Sequence, residues 1–301
     1  MRIAALLVAC ACFAAVPVAA ADRFVVAAPA GSSADAVARA IAAKMGATVE
    51  NGAPETVARA LPDGSTLLLA TPTLTAVIAL QSNLPFDGLK AFAPVARVGN
   101  EPLVLVATSA FSTSSLFDFI ALAKANPGQI SYASAGRGSA SHLAFELLKS
   151  AGTITLAHVA AKSIDAAVAE VVAGNAKVAF APYGAVAAQL KAGKLKALSV
   201  TGPARLPLLP DVPTMRESGL LDYEFNAWLG VLAPAAASKA TVERINEALR
   251  KAMQSPELRD KLSVMLGTEP RVSTPDEFAT QLRREVATFE KVGRELNFKL
   301  E

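Results

Sequence analysis

Seven short, almost wholly apolar runs recur along the chain, at residues 24–28, 67–70, 103–107, 130–133, 156–159, 177–181 and 196–200. A run without polar alternation predicts a strand buried on both faces. Between many of these runs stand stretches with helical spacing. Val37 and Ile41 follow Asp35, and Leu116, Phe119, Ile120 and Ala123 follow Ser115; two more helices are expected around 141–150 and 163–173. The alternation predicts an α/β chain with largely parallel sheets and helices on both faces. At 301 residues, about two domains are expected. From Ser238 onward the pattern turns helical. Val242, Ile245, Leu249 and Ala252 form one stripe, Pro256 opens another helix, and Thr274-Pro275-Asp276-Glu277 reads as a capping box. Phe278, Leu282, Val286 and Phe289 then form the buried stripe of the last helix.

Several function classes are excluded early. The chain is 52% hydrophobic and 18% charged, which is too apolar for disorder. Its 29 basic and 26 acidic side chains are spread without a basic block, so no nucleic-acid partner is expected. Two cysteines and two histidines are too few for a multi-ligand metal site, and neither metal nor cofactor is expected. Both cysteines, Cys10 and Cys12, lie in an N-terminal segment built like an export signal. Met1-Arg2 is its positive start, residues 3–16 are apolar, and Pro17-Val18-Ala19-Ala20-Ala21 ends it with small residues. Residues 1–21 therefore read as a signal peptide cleaved near Ala21. Pro17 argues against a retained anchor. There is no G-x-S-x-G elbow and no carboxylate pair at catalytic spacing, so no enzyme is expected.

Four loops between a strand end and a helix start can carry binding chemistry. The first holds Ala30, Gly31, Ser32 and Ser33, where free amides and the helix dipole suit an anion, with Ser33 or Asp35 as a candidate helix cap. The second runs Ser134-Ala135-Gly136-Arg137-Gly138-Ser139-Ala140-Ser141-His142. Its glycines let the backbone turn tightly, and its hydroxyls are small donors. It lacks the third glycine and the later acidic residue of a dinucleotide fingerprint. The third carries Thr71 and Thr73, and the fourth carries Ala161 and Lys162 after His158-Val159. His142 and His158 read as packed histidines.

Taken in order, a series of motifs resembles one family. It comprises Ala60-Leu61-Pro62-Asp63-Gly64-Ser65-Thr66-Leu67-Leu68-Leu69, Leu84-Pro85-Phe86-Asp87, Phe92-Ala93-Pro94-Val95 and Tyr132-Ala133-Ser134-Ala135-Gly136. It continues with Gly138-Ser139-Ala140-Ser141-His142-Leu143, Ala192-Gly193-Lys194-Leu195-Lys196-Ala197-Leu198-Ser199-Val200-Thr201, Leu209-Pro210-Asp211-Val212-Pro213-Thr214 and Trp228-Leu229-Gly230-Val231-Leu232-Ala233-Pro234. The chain resembles the Bug family of periplasmic binding proteins, extracytoplasmic solute receptors of the tripartite tricarboxylate transporter class.

The resemblance implies a Venus-flytrap fold of two α/β domains joined by two crossovers, near Ala107 and near Asn226. Domain 1 would combine 22–107 with 226–301, and domain 2 would be 108–225. It implies a periplasmic, monomeric, non-enzymatic receptor that closes on a small carboxylate and delivers it to membrane transporter subunits. The alternative is a component that presents ligand to a membrane sensor. The ligand would be held by Ala30, Gly31, Ser32, Ser33, Thr71, Thr73, Ser134, Gly136, Ser139, Ser141, Ala161 and Lys162. Where the family pattern has Pro-Tyr-Lys-Gly after His158-Val159, this chain has Ala160-Ala161-Lys162-Ser163.

Overall fold

The computed structural model describes residues 21–223 and 225–300. Apart from Ala21, the expected signal segment lies outside them. The apolar runs form strands in two five-stranded sheets. The chain proceeds through Arg23–Val26 (β1), Ser33–Met45 (α1), Thr48–Asn51 (β2), Pro54–Ala58 (α2), Thr66–Ala70 (β3), Pro72–Leu80 (α3) and Phe92–Asn100 (β4). It then enters the second sheet with Leu103–Thr108 (β5), Leu116–Ala125 (α4), Ser131–Ser134 (β6), Ala140–Gly152 (α5), Ala157–Ala160 (β7), Ile164–Val172 (α6), Val178–Pro182 (β8), Tyr183–Lys191 (α7) and Leu195–Val200 (β9). It returns as Trp228–Pro234 (β10) and ends in Lys239–Ala252 (α8), Pro256–Leu266 (α9) and Pro275–Glu295 (α10).

The sheet orders are β2-β1-β3-β10-β4 and β7-β6-β8-β5-β9. The two sheets have the same plan, although no sequence repeat announces it. The expectation of largely parallel sheets is corrected here. β1 runs parallel to β2 and β3, and β6 to β7 and β8, but β10 is antiparallel to β3 and β4, and β5 to β8 and β9. The cause is the direction of entry. β4 finishes at the carboxyl edge of its sheet, and after Glu101-Pro102 the chain enters the second sheet from its own carboxyl edge. β5 must therefore run away from that edge, against β8. β10 arrives from β9 in the same way and runs against β3. The expected crossover near Ala107 is also corrected: residues 103–107 already belong to the second sheet, and the passage lies at 101–102.

Buried strands explain most of the apolar runs; the run at 156–159 is the exception, because β7 is an edge strand with exposed ends rather than one covered on both faces. Along β5, Val104 and Val106 join a core under α6 and α7, while Leu103, Leu105 and Ala107 join the core of α4 and α5. In the first sheet, Phe24, Val26, Leu67 and Leu69 pack under α1, α8 and α9, and Val25, Leu68, Trp228 and Leu232 pack against Phe278 and Leu282 of α10. Gly230 permits that second contact, since a Cβ there would lie 2.2 Å from the Phe278 ring. Thr274 and Glu277 form the expected capping box, and the stripe of α10 is buried at Phe278, Leu282 and Phe289, with Val286 half-buried. Strands β2, β4 and β10 and helices α2 and α7 are not among the expected elements.

α10 also ties the two sheets together. Phe289 and Val292 join a cluster with Ala76 and Leu80 of α3 and with Leu143 and Leu147 of α5, and the tail residues Phe298 and Leu300 pack against it. Inside the first lobe, Glu285 accepts hydrogen bonds from Trp228 Nε1 at 2.7 Å and Thr75 Oγ1 at 2.8 Å. Burial pushes its carboxyl up to about 7, with those two donors offsetting part of the effect. A carboxyl raised on folding contributes stability in acid, and that contribution is lost as pH rises from the ordinary range through about 7. Glu285→Gln is therefore expected to match the wild type in thermal melts at pH 4.5 and to be more stable at pH 8, by up to about 3 kcal/mol. Equal melting curves at pH 8 would contradict this account of Glu285.

Candidate functional site

The parallel strands end at one edge of each sheet, and the four loops lie there. In the first lobe, β1 and β3 run side by side, and Ala27 N–H donates to Leu69 O at 3.1 Å. That pairing sets the loop before α1 beside the loop before α3. Ala30 and Gly31 are exposed, with Gly31 at a φ of 79°. The helix cap is Ser32, rather than Ser33 or Asp35; its Oγ accepts from Asp35 N at 3.3 Å. A helix starts with four amides that lack intrahelical acceptors. At α1, Ser32 N donates to Pro29 O at 3.2 Å and Asp35 N to the cap, which leaves the amides of Ser33 and Ala34.

The amide of Gly31 is occupied by Asp35 Oδ2 at 3.0 Å. Asp35 also accepts from Asn51 Nδ2 and pairs with Arg39, each at 3.0 Å. The Arg39 hydrogen bond is the main influence holding this buried carboxyl below its ordinary range. Asp35 thus braces the first loop from behind. The half-buried Thr71 and Thr73 keep hydroxyls without hydrogen-bond partners among the described residues, because Pro72 opens α3 and no side chain caps it.

In the second lobe, β6 and β7 bring the second and fourth loops together. Ala161 N–H donates to Ser134 O at 2.8 Å, so this amide serves the ladder and not a ligand. Lys162 is exposed and makes no ion pair among the described residues. The hydroxyls of the second loop are turned inward. Ser139 donates to Gly136 O at 2.7 Å and caps α5 by accepting from His142 N at 3.3 Å. Ser141 Oγ accepts from Ala135 N at 3.0 Å, and Ser134 Oγ accepts from Gly136 N at 3.2 Å. Ser139 N donates to Gly136 O, also at 3.2 Å. What remains at the start of α5 is the amides of Ala140 and Ser141. The serines shape the loop, and its open donors are backbone groups. Ala34 and Ala140 carry such donors although their side chains gave no signal.

The two histidines hold this loop from below. His142 Nδ1 accepts from Gly138 N at 3.0 Å, and His158 Nε2 lies 2.7 Å from Ser134 Oγ. Their rings stack with centroids 4.3 Å apart. Burial, with His142 nearby, pushes His158 down to about 4. Glu146 lies beneath, 3.4 Å from His142 Nε2, and accepts from Tyr132 OH at 2.9 Å and Lys149 Nζ at 2.8 Å. Burial alone would raise Glu146, but the donors from His142, Lys149 and Tyr132 hold it at about 2. On the outer side, Arg137 donates to Lys299 O at 3.0 Å and lies over the Phe298 ring. The arrangement is a rigid loop offering amides, with no nucleophile aimed from it. No cluster able to hold a metal ion occurs among the described residues.

The family model for the tripartite tricarboxylate transporter family receptor matches residues 34–297. The chain belongs to that receptor family. A UPF0065 protein from the tcbD–tcbE intergenic region of Pseudomonas sp. strain P51 is 31% identical, over 88% of this chain and 82% of that protein. Protein BugT of Bordetella pertussis is 29% identical, over 82% of this chain and 76% of BugT. Among solved structures, MatC from Rhodopseudomonas palustris with bound malate superposes with a TM-score of 0.76 at 29% identity, over 92% of this chain and 99% of MatC. The two-domain binding-protein fold is thereby shared, and the protein is a solute-binding receptor rather than an enzyme.

Ser139→Ala tests the reading of the second loop. It removes both the helix cap and the bond to Gly136 O, and is expected to lower unfolding stability by about 1 kcal/mol without any ligand present. Denaturant melts of the ligand-free protein check this. Unchanged stability would mean that Ser139 does not brace the loop.

Proposed function

We propose that this receptor binds a small carboxylate between its two lobes, outside the cytoplasm, and hands it to the membrane subunits of a tripartite-type transporter. The observation that carries the reading is the pair of helix starts at the sheet edges: α1 with the amides of Ser33 and Ala34, and α5 with those of Ala140 and Ser141. Each start adds the positive end of a helix dipole, which favours a carboxylate. The hydroxyls of Thr71 and Thr73 extend the donor set. The similarity to malate-bound MatC supports the same ligand class. The export-like segment at residues 1–21 supports a periplasmic location. The proposed lobes are 22–100 with 228–300, and 103–200, hinged at 101–102 and through the long return segment 201–227.

Recognition by amides and hydroxyls rather than exposed cations has a measurable consequence. Charge-assisted bonds to fixed dipoles contribute about 1.5–3 kcal/mol each and are little screened by salt. Calorimetry with a panel of di- and tricarboxylates is expected to find at least one ligand whose affinity falls less than about tenfold between low and physiological salt. Lys162→Ala is expected to weaken that ligand less than about tenfold. Small-angle scattering at saturating ligand is expected to show a smaller radius of gyration. Loss of binding in Lys162→Ala would replace the amide cradle with a simple ion pair, and binding by none of the panel would refute the carboxylate reading.

A further inference from the structure

Glu101 stands in the passage between β4 and β5, at the edge where the lobes meet. Its N–H donates to Ala227 O at 2.7 Å, so the outgoing and returning strands touch at this residue. Its neighbour Asn100 pairs with Trp228, whose side chain packs toward α10. Strand alternation then turns Glu101 to the opposite face, which α1 covers. The first turn of α1 meets it there, with the Ser33 side chain close to the carboxylate. Oε1 is buried and has no hydrogen-bond partner. Glu101 forms no ion pair among the described residues. Burial pushes its carboxyl up to about 7, and Ser33 offsets part of that rise.

An ionised carboxylate accepts hydrogen bonds only, and a buried acceptor left without a donor is destabilising. Glu146 and Glu285 are the contrasting cases, since each is surrounded by donors from its own lobe. Glu101 lies beside the free amides of α1, where a ligand carboxylate would sit. A second carboxylate there would bring like charge against it, whereas an ammonium offers three donors, no acceptor and the opposite charge.

We infer that Glu101 is a specificity-determining residue that accepts from an ammonium group of the ligand, so that the receptor prefers an amino-substituted carboxylate over the plain acid of the same length. This rests on the carboxylate-receptor reading above and narrows it. The ligand carboxylate takes the amides at the helix starts, and its ammonium takes Oε1 of Glu101.

Calorimetry at pH 8 with succinate and aspartate, glutarate and glutamate, and adipate and 2-aminoadipate tests the inference. Among the pairs that bind, the amino member is expected to be tighter by at least about tenfold. Glu101→Gln is expected to weaken the amino member by about tenfold or more while the plain acid binds as well as before or more tightly, and Glu101→Asp to retain the preference. Melting curves of both variants check that they fold. An amino preference unchanged in Glu101→Gln overturns the assignment. So does a wild type that prefers the plain acids and takes up a proton on binding them, because Glu101 would then act as a neutral donor. Those two outcomes leave the carboxylate receptor standing, whereas a wild type that binds none of the six acids refutes both readings.

Discussion

Both passages of the chain between its two sheets begin and end at the carboxyl edge of the parallel strands. β4 ends there and β5 begins there; β9 ends there and β10 begins there. A strand entering from that edge has one direction open to it, against the parallel set. In each sheet the strand that enters across from the other sheet, β10 or β5, is the antiparallel one and holds the fourth place. The same constraint gathers the strand-to-helix loops at the line where the lobes join, since parallel strands deliver their helix starts to their carboxyl ends.

At that edge, backbone satisfaction decides what is left for a ligand. Helix starts hold four amides that need acceptors. In α1 and α5 a serine cap and the local turn satisfy part of the set, leaving two adjacent amides in each helix. The polar side chains around them mostly look inward. Asp35 holds Gly31, His142 holds Gly138, and Ser139 holds Gly136. Such bracing fixes the direction of the open amides, and a fixed dipole recognises an anion without reorganising to do so.

The buried carboxyls divide by their surroundings. Glu146 sits among a tyrosine, a lysine and a histidine, and remains ionised far into acid. Glu285 has two neutral donors, which offset only part of its burial. Glu101 has only the nearby Ser33 side chain to offset its burial and retains an unpartnered oxygen. Donors within a lobe make the first two structural. The third stands between lobes, where the protein itself supplies too few donors.

The residues by themselves determined the class of fold. Unbroken apolar runs such as 103–107 pointed to strands covered on both faces, and Phe278, Leu282 and Phe289 to one buried helical stripe, as the structure has them. Ordered motifs identified the family, and the four loops were visible as small and polar residues between strand and helix. β2 escaped because Thr48–Asn51 is an edge strand, largely exposed and without an apolar run. The antiparallel strands were not legible as such, because apolar pattern reports burial and not direction. Which donors remain open was also decided only in three dimensions. Ser139 and Ala161 look like ligand contacts in sequence, yet one donates to its own loop and the other to its own ladder. Ala34 and Ala140 give no chemical signal, because their donors are backbone amides and depend on where each helix starts. Glu101 belongs to none of the motifs or loops that stand out in the sequence. Only the meeting of β4, β10 and α1 buries its carboxylate and leaves an oxygen without a partner.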